Sequence, residues 1–269
     1  MKIKVYNEKG EKGKEIELPI IFNTEFRPDL IQKIFRIYRE NSKQPYGNYV
    51  LAGKEVSASG KIKHRRHKWK TAYGHGIARI PRKIMTRRGE RFFWVGAFVP
   101  NTVGGFRTHP PKVGQRKLRI NKKEVYLALK SDIAATSKKD IVLKRYENLN
   151  DLKIDLPVVI NTEKIKKAKE FKTMLLKIFD DVKIFKEKKI RPGRGKRRGR
   201  KYKQNAGLLV IIGSKENLKF ANVGVDIVNL NKLSIENLSP GGVPGRLTVY
   251  TEQAMKEIGE FKWDFYYIL

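Results

Sequence analysis

A long basic segment near the middle of the chain, residues 43–119, constrains the fold more than any other feature. It holds 19 Lys and Arg residues against two acids, Glu55 and Glu90, and ten glycines are scattered among its aromatic residues. Such a composition cannot bury a core of its own. Irregular segments of this length inside a compact domain are usually functional or disordered, and this mixture of cations, glycines and flat rings favours ordering on a polyanion.

A second basic segment, residues 183–203, carries 12 cations against a single acid, Glu187. Together with the net charge of +33, the two segments predict an anionic partner, and nucleic acid is the first candidate. A membrane surface is the alternative, but basic membrane anchors are short amphipathic helices or tails. The chain has no cysteine, and no apolar run approaches the ~18 residues of a membrane span, so we expect a cytosolic protein.

The rest of the chain predicts helices that alternate with short apolar strands. Residues 2–7 and 16–18 alternate like a hairpin or two edge strands, and apolar residues recur at helical spacing from Leu30 to Tyr38. Asn121, followed three residues later by Glu124, is typical of a helix start, and this helix should run to about Thr136. Further strands are predicted at 140–146, 156–160, 207–213, 225–230 and 247–250, and further helices at 163–181, 234–238 and 252–261.

Alternating strands and helices imply parallel pairing. We therefore predict an α/β fold with a layered, mostly parallel sheet flanked by helices. The chain would form a single α/β globular domain over residues 1–269, with a long irregular basic extended loop inserted at 43–119 and a second basic loop at 183–203. An aromatic C-terminal tail follows at 262–269.

The sequence does not favour catalytic or metal-binding interpretations. His64 and His67 lie among cations with no carboxylate near them, and the glycines of the second basic loop match no nucleotide-binding fingerprint. The basic segments also hold no pair of acids suited to two-metal catalysis. We predict no cofactor, no metal and no enzymatic activity. The alternative is a nucleic-acid-processing enzyme, which would need acids or His clustered at the carboxyl ends of the strands.

The positive prediction is RNA binding by the two basic segments. Lys and Arg neutralise phosphates, glycine lets the backbone approach them closely, and aromatic rings offer planes for unstacked bases. A charged run alone is usually a solvated face, and the aromatic residues of 92–98 are equally compatible with packing the base of the insert onto the body. The predicted RNA-binding residues are Lys61, Lys63, His64, Arg65, Arg66, Lys68, Trp69, Lys70, Arg79, Arg82, Lys83, Arg87, Arg88, Arg107, Lys112, Arg116, Lys117, Arg119, Lys122, Lys123, Arg191, Arg194, Lys196, Arg197, Arg198, Arg200 and Lys201.

Several long stretches follow one another in a specific order: QPYGNYVLAGKEVSASG, HRRHKWKTAYGHGIARIPR, GAFVPNTVGGFRTHPPK, INKKEVYLALKSDIAAT, GRGKRRGRKYKQNAGLLVIIG and VDIVNLNKLSIENLSPGGVPGRLTVYTEQA. In that order they resemble the signatures of the large-subunit ribosomal protein family numbered four, in its archaeal and eukaryotic form. The resemblance runs along essentially the whole chain. The short tail after Phe261 resembles archaeal rather than eukaryotic members.

The resemblance implies a structural constituent of the large ribosomal subunit, cytoplasmic and without enzymatic activity. Such a protein would bind large-subunit ribosomal RNA early in assembly, beside neighbouring ribosomal proteins and away from any membrane. Its extended loop would help line the nascent polypeptide exit tunnel, with the nascent peptide passing a tip at about residues 68–82. The tunnel-lining residues that the resemblance implies are Tyr73, Gly74, His75, Gly76 and Arg79.

Overall fold

The computed structural model describes residues 2–51, 55–58, 60, 66–67, 73–74, 76, 78–89, 91–99, 109–114, 117–146, 152, 154–163, 165, 167–179, 184–218, 220 and 223–259, without the side chains of 84–87 and 91–94. The chain divides into two compact units. We call them the body, Met1–Ser42 with Lys117–Leu269, and the insert unit, Lys43–Arg116.

Strands and helices follow one another along the described chain. The strands are β1 (Lys2–Tyr6), β2 (Lys12–Glu17), β3 (Lys83–Arg88), β4 (Arg91–Val95), β5 (Val158–Ile160), β6 (Lys188–Ile190), β7 (Tyr202–Gln204), β8 (Leu209–Ile212), β9 (Asp226–Asn229) and β10 (Thr248–Thr251). The helices are α1 (Pro28–Asn41), α2 (Lys122–Ser137), α3 (Lys139–Arg145), α4 (Ala168–Ile178), α5 (Ile235–Leu238) and α6 (Glu252–Ile258).

A six-stranded sheet in the order β2-β1-β5-β10-β8-β9 forms the centre of the body. The β1–β2 pair is antiparallel, and the pairs β1–β5, β5–β10, β10–β8 and β8–β9 are parallel. Parallel neighbours need crossover connections, and helices lie in those between β1 and β5, between β5 and β10, and between β8 and β10. The predicted α/β fold with a mostly parallel sheet is therefore confirmed.

The core lies on both faces of this sheet, as strand β8 illustrates. Its four residues are all buried, and because successive side chains point to opposite faces they divide between two apolar clusters. Leu209 and Ile211 pack with residues of α1, α2 and α6, whereas Val210 and Ile212 pack with residues of α3 and α4. A continuous apolar run is thus the expected sequence of a strand that helices cover on both sides.

The helix at 122–137 has the predicted bounds but not the predicted cap. Asn121 is the residue that precedes its first turn, yet its side chain makes no capping hydrogen bond. Glu124 turns to another partner, because its carboxylate accepts from Nζ of Lys33 at 2.8 Å. The acid in the first turn still favours the helix, because negative charge is stabilised at a helix N-terminus.

The strand predicted at 140–146 is wrong, because these residues form helix α3. Only Val142 of the apolar run IVL is buried. The run therefore contributes one side chain of a helix to the core, whereas a strand covered on both faces would bury all three. The charges also suit a helix, with Asp140 in the first turn and Lys144 and Arg145 in the last. Short apolar runs do not distinguish the two structures by periodicity alone.

Most other predicted elements are present with shorter bounds. Strands β5, β8, β9 and β10 and helices α4, α5 and α6 lie within or close to their predicted ranges, and β1 and β2 form the predicted hairpin. Residues 180–183 and 260–269, with the aromatic tail, lie outside the described residues.

The two basic segments are less irregular than the sequence predicts. Strands β3 and β4 pair as an antiparallel hairpin inside the insert unit, and β6 and β7 pair as another inside the second basic loop. The cations interrupt the apolar alternation by which strands are recognised, so the sequence pattern alone does not reveal these hairpins.

A buried carboxylate joins α2 to the loop before β10. Asp132 is fully buried, and its Oδ1 accepts a hydrogen bond from Oγ of Ser239 at 2.6 Å. Its Oδ2 has no hydrogen-bond partner within the described part of the chain. Burial raises the pKa of Asp132 from 3.8 to about 7, against the opposing effects of the Ser239 hydrogen bond and the Arg145 charge.

This raised pKa predicts a pH dependence of stability. The folded state binds the Asp132 proton more tightly than the unfolded chain does, so the stabilisation is complete below about pH 4 and is lost as pH rises to about 7. We expect the free energy of unfolding of the wild type to fall relative to Asp132→Asn by at least about 1 kcal/mol between pH 5 and 8. Urea unfolding at both pH values measures this. An unchanged difference between the two proteins would contradict it.

Candidate nucleic-acid interface

The second basic loop is an exposed hairpin with a compact tip. The pairs Lys188–Gln204, Lys189–Lys203 and Ile190–Tyr202 lie opposite each other, and a single 3-10 turn at 194–197 follows Gly193. Gly193 and Gly199 each have a φ of +75°, which a residue with a Cβ rarely adopts. The N–H groups of Arg198 and Arg200 both donate to the carbonyl of Gly195, each at 3.1 Å.

The predicted RNA-binding residues of this loop all reach solvent. None of the seven has an ion-pair partner among the described residues, and the loop holds one acid, Glu187, which pairs with Lys189 at 3.0 Å. The tip therefore concentrates positive charge that the protein itself does not neutralise. The seven exposed residues are Arg191, Arg194, Lys196, Arg197, Arg198, Arg200 and Lys201.

A buried guanidinium holds the base of the hairpin. Arg246 is 2% exposed, and its Nε and Nη2 donate to the carbonyls of Gly207 and Ala206 at 3.0 and 2.5 Å. Its Nη1 donates to the carbonyl of Asn237 at 2.7 Å, and Nη2 also lies 2.5 Å from the Asp226 carboxylate. The planar guanidinium is suited to such a site, because its donors point in several fixed directions at once.

The strand that enters the hairpin is fixed by the same cluster. Lys186 forms an ion pair with Asp226, and its backbone N–H donates to the Gly224 carbonyl at 2.7 Å. The Asn205 Oδ1 accepts from the Glu187 N–H at 2.7 Å. The hairpin therefore projects from the β8–β9 edge of the sheet on a base with many hydrogen bonds.

The insert unit is tied together by backbone contacts between its two halves. The N–H of Asn48 donates to the carbonyl of Pro111 at 3.1 Å, and that of Ser57 to the carbonyl of Phe98 at 3.2 Å. Gly60 and Arg82 exchange two hydrogen bonds, of 2.8 and 3.0 Å. A Cβ at Gly47 would lie 2.2 Å from Cγ2 of Val113, so only glycine fits this close approach.

The described part of the predicted tip combines two glycine turns with a stacked pair. Gly74 and Gly76 are exposed, with φ of +79° and +63°. The Arg79 guanidinium lies 4.8 Å from the centroid of the Tyr73 ring, which is the geometry of a cation–π contact. His75 lies outside the described residues.

Some of the other predicted RNA-binding residues are described by the structure and some are not. Among the described ones Arg82 is half-buried, and the rest are exposed to solvent: Arg66, Arg79, Lys83, Arg88, Lys112, Lys117, Arg119, Lys122 and Lys123. Those outside the described residues are Lys61, Lys63, His64, Arg65, Lys68, Trp69, Lys70, Arg107 and Arg116, together with the side chain of Arg87. The side chains of 92–94 are also outside, so both predictions for those aromatic residues stay open.

The carboxyl ends of the strands bear on the enzyme alternative. The Glu216 carboxylate accepts hydrogen bonds from the Gly213 N–H at 2.8 Å, after β8, and from the Thr251 hydroxyl at the end of β10. It also accepts from the Thr162 hydroxyl at 3.5 Å, just after β5. Open α/β proteins bind ligands at this edge. Glu216 lies at this edge, but the hydrogen bonds that its carboxylate accepts connect the ends of three neighbouring strands, β5, β10 and β8.

Two further searches bear on other classes of site. Within the described ranges, no three His, Cys, Asp or Glu side chains are grouped so that they could hold a metal ion. In the same part of the chain, no helix is both long enough and apolar enough to cross a membrane.

Sequence reasoning missed the residues that hold and shape the second hairpin. Arg246 has partners between 9 and 40 residues away, and no local pattern marks it. Tyr202 lies inside the predicted loop but was not among the predicted RNA-binding residues. The available signal was its position between Lys201 and Lys203, where an aromatic residue interrupts a run of cations.

An α/β body that carries an exposed polycationic hairpin is typical of basic nucleic-acid-binding proteins. The sequence matches the ribosomal protein L4/L1 family over residues 16–261, so the chain belongs to that family. Relatives named large ribosomal subunit protein uL4 include those of Methanocaldococcus jannaschii, 42% identical, Archaeoglobus fulgidus, 39%, and Nanoarchaeum equitans, 36%. Each alignment covers 97% of this chain and 99% of the relative.

Family membership establishes the class of function. The protein is a structural constituent of the large ribosomal subunit in the cytoplasm, and it is not an enzyme. The family implies ribosomal RNA and ribosomal proteins as partners. The earlier resemblance to this family, in its archaeal type, is confirmed.

The anchor of the second hairpin yields a stability prediction. We expect Arg246→Lys to lower the free energy of unfolding of the body by about 3 kcal/mol, because lysine cannot reach three carbonyls and Asp226 together. The matched control is Arg39→Lys, whose ion pair with Glu236 is exposed and should contribute less than about 0.5 kcal/mol. Urea unfolding of both variants compares them, and equal losses would show that the buried cluster has no special role.

Proposed function

We propose that the chain is a single α/β domain whose insert, residues 43–119, and second basic loop, residues 183–203, bind large-subunit ribosomal RNA early in assembly. The observation that carries this proposal is the group of seven exposed cations at the second hairpin, which have no ion-pair partner among the described residues. Phosphates neutralise such charges and release condensed counterions, which makes binding favourable and dependent on salt. Neighbouring large-subunit ribosomal proteins are further partners.

The insert contributes in a second way. Its glycines allow the backbone to approach sugar and phosphate, and its aromatic residues offer planes to unpaired bases. Its tip, at about residues 68–82, helps to line the nascent polypeptide exit tunnel, where the nascent peptide passes Tyr73, Gly74, His75, Gly76 and Arg79. Family resemblance supports this part of the proposal. The positive φ angles of Gly74 and Gly76 are compatible with a narrow turn at such a tip.

The RNA-binding role of the insert can be tested by replacing its tip. Gly60 and Arg82 exchange both hydrogen bonds, which is the geometry that closes a two-residue hairpin. An Asn-Gly turn can therefore replace residues 61–81 and remove seven Lys and Arg residues. We expect affinity for a large-subunit RNA fragment to fall at least about tenfold at low salt. The slope of log K against log salt should lose about 0.9 for each lost phosphate contact.

A body variant with three exposed lysines of α4 changed to glutamine, Lys169, Lys172 and Lys177, is the matched control. It should leave both affinity and slope close to those of the wild type. The unfolding midpoint of the body should be the same in all three proteins. The loss of RNA affinity per removed cation is compared between the two variants. If it were equal in both, binding would be nonspecific electrostatic attraction, and the proposal for the insert would be wrong.

The tunnel role predicts proximity to the nascent peptide. A photocrosslinking amino acid at position 74 should capture the nascent chain in stalled ribosomes of the source organism. The same group at position 117, in the flank of the insert, should give no such product. Capture at neither position would contradict the proposed position of the tip.

A further inference from the structure

The second hairpin has two chemically different faces. Opposite residues of an antiparallel pair lie on the same face, and successive residues alternate between faces. The pairs Lys189–Lys203 and Arg191–Lys201 therefore share one face, which bears four cations. The N–H of Arg191 donates to the carbonyl of Lys201 at 2.8 Å, which extends the pairing by one step. This cationic face is suited to a phosphate backbone.

The opposite face is largely uncharged. It carries the pairs Ile190–Tyr202 and Lys188–Gln204. Ile190 is 60% exposed and Tyr202 is 47% exposed, and every residue of the two strands is exposed. No core element covers these strands in the described part of the body. An isolated two-stranded hairpin is marginally stable in water. A partner that covered Ile190 and Tyr202 would therefore stabilise this hairpin.

Two ammonium groups lie over the Tyr202 ring, where each makes a cation–π contact. Nζ of Lys188 lies 4.1 Å from the ring centroid, and Nζ of Lys201 lies 5.5 Å from it. A base that stacks on this ring displaces an ammonium group on a flexible, exposed lysine side chain, which stays within reach of the phosphate of the same nucleotide. A nucleotide satisfies both features, because its base is flat and its phosphate is anionic.

We propose that Tyr202, supported by Ile190, is a stacking site for an unpaired RNA base, while the cations of the opposite face and the tip contact the phosphates on either side. This inference rests on the proposed function and deepens it, because it names single-stranded or bulged RNA as the ligand of the second hairpin. Charge complementarity favours RNA over a neutral protein surface. The loop has 12 cations and one acid, and the ring itself lies within 5.5 Å of two ammonium groups.

The test measures how the full-length protein binds two RNA probes, a single-stranded oligouridylate of about 20 nucleotides and a fully paired duplex of the same length. Tyr202→Ile keeps an apolar residue of high strand propensity but removes the flat ring. We expect it to weaken oligouridylate binding about tenfold while leaving duplex affinity and the salt slope unchanged. Tyr202→Phe should bind both probes like the wild type.

Lys203→Gln, on the cationic face, is the matched variant. It should weaken binding to both probes and reduce the salt slope by roughly 0.7 to 0.9. In a second measurement, oligouridylate carrying 4-thiouridine should crosslink to the peptide that contains Tyr202 in the wild type and not in Tyr202→Ile. Unfolding midpoints should be unchanged, since all the altered side chains are exposed.

The outcomes separate the inference from the function on which it rests. If Tyr202→Ile binds both probes like the wild type while Lys203→Gln weakens both, the stacking site is overturned and RNA binding by the hairpin stands. That result is expected if the Tyr202 face packs on a ribosomal protein. If neither variant changes binding to either probe, the proposed RNA contact of the second hairpin is itself overturned.

Discussion

The contact of Arg246 with Asp226 is the interaction on which the arrangement of the body depends. A chain of net charge +33 repels itself, so its cations must either face solvent or meet a local counter-charge. Arg246 is buried, and it meets Asp226 and three backbone carbonyls while standing just before β10. Lys186 also pairs with the Asp226 carboxylate. One cluster therefore fixes the segment that enters the second hairpin, the segment that leaves it and the start of β9. The second hairpin is thereby held at the β8–β9 edge of the sheet.

The same separation of neutral interior and charged surface extends to the edge of the sheet where its parallel strands end. The edge where parallel strands end is usually open to a ligand, but here Glu216 accepts hydrogen bonds from the ends of β5, β8 and β10. A carboxylate with these partners stabilises the strand ends. The sheet therefore serves to position surface elements such as the second hairpin, to which we assign RNA contacts as a proposal.

How much of this was predictable depends on whether an element packs against the core. The run GLLVIIG predicted β8 because two layers of helices select an apolar residue at every position. Strands β6 and β7 were not predicted, because neither of their faces is buried and no alternation is selected. The run IVL predicts a strand where helix α3 forms, because a short apolar run is compatible with either structure and its sequence does not show that Val142 alone is buried. Arg246 is invisible in sequence, since its partners at 206, 207 and 226 approach it only in the folded body.

Composition predicts the kind of partner, a nucleic acid. The arrangement of side chains adds a preference among RNA structures that charge alone cannot provide. Phosphates are the same along any RNA, so contacts from Lys189, Lys203 and the hairpin tip would give affinity without choosing among sequences or structures. A ring such as Tyr202 distinguishes paired from unpaired RNA, because only a base outside a helix presents its face. With Lys189 and Lys203 on one face of the ribbon and the Tyr202 ring on the other, two strands of three residues each can supply both properties. Selection of this kind suits a subunit in which many RNA segments carry the same charge.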